Sequence, residues 1–162
     1  MASMNSSNGN FALTAWQRLS SYPGGKWLFS RIVCLRAPYF STIRPVFLQL
    51  QPGHSIVRMK KRRRVTNHIG TVHAIAMCNL AELAAGTMTE VTVPASHRWI
   101  PKGMTVEYLA RAETALIAEA TIDPIPRFAD AVEVPVIINV TDEANRPVLH
   151  ARITMWVTPR KP

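Results

Sequence analysis

The sequence predicts an α+β fold: an antiparallel sheet of five to six strands wrapped around one central buried helix at about residues 71–89, with two extra helices ahead of it. Three observations carry this reading. Residues 72–88 are dominated by Ala, Leu and other apolar side chains with few β-branched ones, which describes a helix covered by its neighbours. Extended stretches lie on both sides of that segment, and strands grouped after a single buried helix pack on it as one antiparallel layer. At 162 residues and 48% hydrophobic content, the chain supports one domain with a real core.

The elements follow in order. Residues 1–10 are Ser-, Asn- and Gly-rich and read as a disordered N-terminus, leaving 11–162 as a single domain. Phe11, Ala15, Trp16 and Leu19 mark one face of a helix at 11–22, which Pro23, Gly24 and Gly25 end. A second helix at 26–36 carries Leu28, Phe29, Ile32, Val33 and Leu35 and stops before Pro38. Residues 44–51 and 54–65 form a hairpin about Pro52 and Gly53, with Thr71 expected to cap the central helix that follows. Four further strands, at about 97–110, 113–122, 131–140 and 148–158, are separated by turn residues such as Asp123, Pro124 and Pro126.

Charge is distributed unevenly. There are 19 Lys and Arg against 10 Asp and Glu, and every acid lies at or after Glu82. Residues 1–81 hold eleven basic residues and no acid, which implies an anionic partner. The run at 60–64, Lys-Lys-Arg-Arg-Arg, reads as part of a strand, with Lys60, Arg62 and Arg64 on one face. Arg62 and Arg64 beside the candidate site suit a phosphate-bearing carrier, while a solvated edge strand guarded by charge is the plainer reading. Two separated cysteines, Cys34 and Cys78, make no disulfide framework and point to a reducing, cytoplasmic setting. No apolar run is long enough to span a membrane, although peripheral contact by the N-terminal helices stays open. Five scattered histidines have no ligand spacing, so no metal and no separate cofactor are expected. Nucleic acid is not an expected partner.

The chemistry concentrates in residues 66–83, TNHIGTVHAIAMCNLAEL. Glu82 stands in an apolar helix, where a carboxylate is uncommon unless paired and where burial would raise its pKa into the range of a general base. A solvent-facing stripe shared with Asn79 is the alternative. Upstream, Asn67, Gly70, Thr71 and His73 form a polar turn into the helix, and the first backbone N–H groups of a helix suit a developing oxyanion.

The pattern Asn67-x-x-Gly70-Thr71-x-His73, with an acid nine residues beyond the histidine, resembles the active-site segment of hotdog-fold acyl-CoA thioesterases of the phenylacetate-pathway type. In particular it is similar to an uncharacterised branch sharing the NHIGTVHAIAM…NLAE wording and a segment like Pro38-Tyr39-Phe40. The resemblance implies a hotdog fold and hydrolysis of an acyl-CoA or acyl-carrier-protein thioester, coenzyme A entering only as part of the substrate. It implies that Glu82 activates water or attacks the thioester, that Asn67 positions water or carbonyl, that the Ala74 N–H polarises the carbonyl, and that His73 shapes the turn. The family commonly has His-Gly-Gly where this chain has His73-Ala74-Ile75.

Ala74 and Glu82 are eight residues apart, about 12 Å along one helix, too far to serve one thioester. A composite site in a homodimer, or in a tetramer of paired dimers, is therefore expected. Two alternatives use the same residues: 3-hydroxyacyl thioester dehydration with His68 and Glu82, and non-catalytic binding of an acyl-CoA or fatty acyl chain.

Overall fold

The computed structural model describes residues 10–160. Most of the 1–10 segment expected to be disordered lies outside the described residues. Asn10 itself is ordered: its Oδ1 accepts from the N–H groups of Ala12 and Leu13 at 3.1 and 3.2 Å and so caps the first helix, α1 (Phe11–Leu19). The helix ends three residues earlier than its apolar face suggested. Gly24, at φ 75°, turns the chain, and α2 (Gly25–Arg36) follows. α1 and α2 meet so closely that a Cβ on Gly25 would lie 1.7 Å from the carbonyl oxygen of Leu19.

A short 3₁₀ turn (Pro38–Thr42) leads to the hairpin of β1 (Val46–Gln51) and β2 (His54–Met59). β2 stops six residues short of the expected end. The run at 60–64 leaves the sheet and ends in a 3₁₀ turn (Arg63–Val65), so its side chains do not alternate between two strand faces. Five adjacent cations repel one another, and Lys60, Lys61, Arg63 and Arg64 keep to solvent while Arg62 is half-buried.

The central helix α3 (Ala74–Thr92) is followed by β3 (His97–Tyr108), β4 (Leu116–Thr121), β5 (Val132–Asp142) and β6 (Pro147–Pro159). All pairings are antiparallel, in the order β1-β2-β4-β5-β6-β3. Strand faces rich in Val, Ile and Ala (Val57, Ala118, Val136, Ile138, Ile153) close on Leu80, Ala81, Leu83, Ala84 and Met88 of α3. Ser55 fastens the layers, donating to the Ala84 carbonyl at 2.9 Å. One sheet wrapped on one long helix in this order is the hotdog fold, here with two added N-terminal helices.

Those helices are docked on the sheet. Trp16, Phe29 and Phe47 stack edge to face, with centroid separations of 5.2 Å for Trp16–Phe29 and 5.4 Å for Phe29–Phe47. Ser30, fully buried, donates to the Lys26 carbonyl at 2.7 Å and accepts from the Phe47 N–H at 2.9 Å. Among the described residues, no helix is long and apolar enough to cross a membrane.

Candidate active site

The segment from 65 to 73 is a closed loop. Thr66 and Val72 bridge its ends, and the Asn67 N–H donates to the Thr71 carbonyl at 2.9 Å. Gly70 sits at φ 80°, a conformation that L side chains resist. Asn67 holds the loop from within: its Oδ1 accepts from the N–H groups of Ile69 and Thr71 at 3.2 and 3.1 Å, and its Nδ2 donates to Thr71 Oγ1 at 2.8 Å. One Nδ2 proton is left for a ligand.

Thr71 is thereby committed to the loop and does not cap α3. Val72 is held extended by its N–H bond to the Ala112 carbonyl at 2.8 Å, so the helix starts three residues after the expected point. His73 is the cap instead: its Nδ1 accepts from the Ile75 N–H at 3.1 Å. That contact places the imidazole proton on Nε2, which faces outward on an exposed side chain. The N–H groups of Ala76 and Met77 both go to the His73 carbonyl. Among the described residues the Ala74 N–H has no acceptor, and it is the open donor of the first turn.

Ala74 and Asn67 line a cleft of about 300 Å³ with Met77, Tyr108 and Arg111. Tyr108 Oη lies 3.1 Å from Cys78 Sγ, and this hydrogen bond, with some burial, raises the phenol pKa.

Glu82 lies elsewhere. α3 is not apolar all round in the single chain: Ile75, Cys78 and Glu82 form a stripe that the sheet leaves partly open, while Trp99 of β3 reaches Gly86 and Glu90 further along it. The carboxylate of Glu82 is exposed on that stripe. Asn79 does not share it, being buried with its Nδ2 donating to Thr42 Oγ1 at 3.1 Å. Glu82 opens into a second, mostly apolar cleft of about 530 Å³, walled by Val33 and Phe40 from the N-terminal elements and by Trp99 and Met155 from the sheet. Trp99 is positioned by its indole N–H, which donates to Glu90 at 2.7 Å, and its ring packs over Gly86, where a Cβ would stand 3.2 Å away. One chain therefore keeps Glu82 apart from Asn67 and Ala74 and does not assemble the three into one cleft.

The basic residues expected near the site diverge. Arg64 is exposed on the 3₁₀ turn, whereas Arg62 is half-buried, with one terminal nitrogen buried and unbonded among the described residues. Burial and the neighbouring guanidinium groups of Arg44, Arg64 and Arg31 lower the Arg62 pKa. Arg31, Arg44, Val33 and Tyr108 carry no local signal as site residues, because segments far apart in the chain bring them there, whereas Phe40 belongs to the Pro38-Tyr39-Phe40 segment that the resemblance includes.

Residues 25–157 match the family described as Domain of unknown function (DUF4442). Among solved structures, the structural-genomics protein APC5556 is 44% identical with a TM-score of 0.79, over 92% of this chain and 98% of that one. The thioesterase HI1161 of Haemophilus influenzae is 16% identical with a TM-score of 0.69, over 79% and 87% of the two chains. PA5026 of Pseudomonas aeruginosa, described as a protein of unknown function and probable thioesterase, is 21% identical with a TM-score of 0.75, over 86% and 97%. These last two likenesses are of fold. No curated protein matches the chain.

Proposed function

The chain belongs to the DUF4442 family, and from that premise we propose that it is a thioester hydrolase acting on an acyl-CoA or acyl-carrier-protein substrate at sites shared between two subunits. The observation that carries the proposal is the pairing of an open helix-terminal donor, the Ala74 N–H, with a carboxylate two turns along the same helix on its uncovered stripe. The thioesterase fold neighbours support the same class of chemistry.

The homodimer supplies the missing proximity. β3 is a twelve-residue edge strand bonded to β6 on one side, and no strand covers its outer edge among the described residues. Ile100, Met104 and Tyr108 stand exposed along it. A long open edge is a template for pairing with a second copy. Antiparallel pairing there continues the sheet and lays the two α3 helices side by side along their uncovered stripes. With the twofold axis passing near Cys78, four residues from both Ala74 and Glu82, each Ala74 faces the partner's Glu82.

In the resulting site the thioester carbonyl oxygen takes the Ala74 N–H, and the second Nδ2 proton of Asn67 steadies the water or the carbonyl. The partner's Glu82 removes a proton from water as the oxygen attacks the carbonyl carbon. The oxyanion is held by the helix terminus, then collapses, and the departing thiolate receives the proton from the partner's Glu82. The Ala74 and Ile75 side chains, present where related sites have glycine, leave the backbone donor in place, and Ile75 lies on the uncovered stripe. The apolar cleft walled by Val33, Phe40, Trp99 and Met155 is suited to the acyl chain.

Glu82→Gln is expected to lower kcat on a panel of acyl-CoA substrates by roughly 10²–10⁴-fold, with the oligomer intact. An unchanged rate removes Glu82 from the mechanism. Mixing Glu82→Gln with Asn67→Ala subunits should restore about a quarter of the wild-type rate, because half of the dimers are mixed and each has one site free of both lesions. No restoration argues against shared sites. Free thiol as product separates hydrolysis from dehydration, which would give an enoyl thioester, and tight ligand binding without turnover would favour the non-catalytic reading.

A further inference from the structure

Three distant segments bring cations together beside α2. Arg31 of α2, Arg44 before β1, Arg58 and Lys60 around the end of β2, and Arg62 converge with Trp27 on a cleft of about 290 Å³ that no carboxylate lines. Arg58 has a counterion, Glu143 at 3.2 Å. Arg31, Arg44 and Arg62 have no ion pair among the described residues, and they are close enough for Arg31 and Arg44 each to depress the Arg62 pKa.

The cluster is built into the fold rather than scattered over a surface. Arg31 reaches from α2 to the Pro45 carbonyl at 2.6 Å, which fixes its guanidinium while leaving its Nε buried and unbonded. Arg62 likewise holds a buried, unbonded terminal nitrogen. Buried N–H donors without acceptors cost stability, and so do like charges held together. Arg44 adds backbone strain, at φ 45°, where a non-glycine residue is uncommon. Strain, unsatisfied donors and uncompensated charge coincide at one place, which is the pattern of a site organised for a ligand that supplies what is missing. The ligand must be anionic, accept several hydrogen bonds and fit guanidinium forks, which describes phosphate oxygens. Trp27, over half exposed with the Arg31 guanidinium 5.9 Å from its ring centroid, offers a flat apolar face beside those donors.

We propose that this cleft binds the phosphates of a nucleotide, with Arg31, Arg44 and Arg62 gripping the phosphate oxygens and Trp27 stacking on the base. Within the thioesterase reading, on which this identification rests, the nucleotide is the 3′-phosphorylated ADP end of coenzyme A. Arg62 and Asn67 are five residues apart, at most about 17 Å of extended chain, so the pantetheine arm can run from the cationic cleft towards the helix terminus.

Calorimetric titration of the full chain with adenosine 3′,5′-bisphosphate, with adenosine and with phosphatidylglycerol vesicles tests this. The bisphosphate should bind and adenosine should bind far more weakly. Arg31→Gln and Arg44→Gln should each weaken the bisphosphate about tenfold or more, and Arg44→Lys should recover part of the loss. Thermal melting separates ligand binding from a structural role. Arg44→Gln should melt at or above the wild-type temperature without ligand, because it relieves the repulsion among the guanidinium groups, whereas a residue serving only the fold would melt lower. No bisphosphate binding, equal binding of adenosine, or binding of vesicles alone would each overturn the assignment. Because the titration involves no turnover, bisphosphate binding by a chain inactive on thioesters would retain the cleft and reject only the hydrolase.

Discussion

Replacing Phe29 with Ala tests whether the N-terminal helices belong to the working domain. The ring is 1% exposed and stands edge-on between Trp16 and Phe47, joining α1, α2 and β1. Truncating a buried Phe costs about 3–5 kcal/mol through lost transfer energy and the cavity left behind. Two edge-to-face pairs, each worth roughly 0.5–1.5 kcal/mol beyond area burial, are lost with it and place the expected value near 4 kcal/mol. Urea unfolding with a slope near 2 kcal/mol per M then shifts its midpoint down by about 2 M. Measurement is by far-UV circular dichroism and tryptophan fluorescence at one fixed protein concentration, because the proposed dimerisation would contribute to apparent stability. Trp16, buried against the missing ring, should also red-shift in the folded variant. A midpoint change below about 0.5 M would mean that the two helices are not held on the sheet as described, and the apolar cleft walled by Val33 and Phe40 would lose its outer side with them.

Two further outcomes follow from the same structure. Ser30→Ala strands the buried Phe47 N–H and should cost about 1–3 kcal/mol in the same urea assay, with Ser30→Thr unable to substitute if the pocket is as tight as its zero exposure suggests. Asp142 has its carboxyl pKa lowered by the Arg146 N–H, the Ala144 N–H and the Arg146 guanidinium, against some desolvation. A group with a lowered folded pKa contributes stability above its unfolded pKa and loses it as pH falls through the folded value. Thermal melting of wild type should therefore weaken on the acid side below about pH 4, the unfolded carboxyl range, and Asp142→Asn should show a shallower acid limb. Parallel limbs would deny the Asp142 loop that role.

The sheet and the central helix were legible in the chain because their signals are local and repeated. Alternating apolar residues and turn residues locate β3 to β6 within a few positions, and an Ala- and Leu-rich run locates α3. The start of α3 differs from the expected one because Thr is the better N-cap by type, yet Thr71 is taken by Asn67 and the chain is held extended by Ala112, a partner about forty residues away. Strand alternation over 60–64 takes no account of mutual repulsion, and the chain leaves the sheet there. Composition points to a buried helix for Glu82 and cannot separate a face covered by the sheet from one left open, which is where Glu82 stands.

The site residues divide along the same line. Asn67, Gly70, His73 and Ala74 are contiguous, so a motif could find them. Arg31, Arg44 and Arg62 come from three segments and are joined only by the docking of α2 on β1. The early bias of the chain, eleven bases and no acid in 1–81, supplies that convergence. Five of those eleven line one cleft, and among the described residues only Glu143 makes an ion pair with any of the five, at Arg58. No acid stands in the segments that build the cleft, and the carboxylates nearest to it, Glu113 and Glu143, lie on the far side of Arg58, Lys60 and Arg62 in the adjoining cleft. The first carboxylate in the chain, Glu82, appears on the opposite business of the fold, on the stripe where a second subunit would meet it. α2 is the wall between the two clefts, because Arg31 lines the cationic one while Val33 and Arg36 line the one into which Glu82 opens.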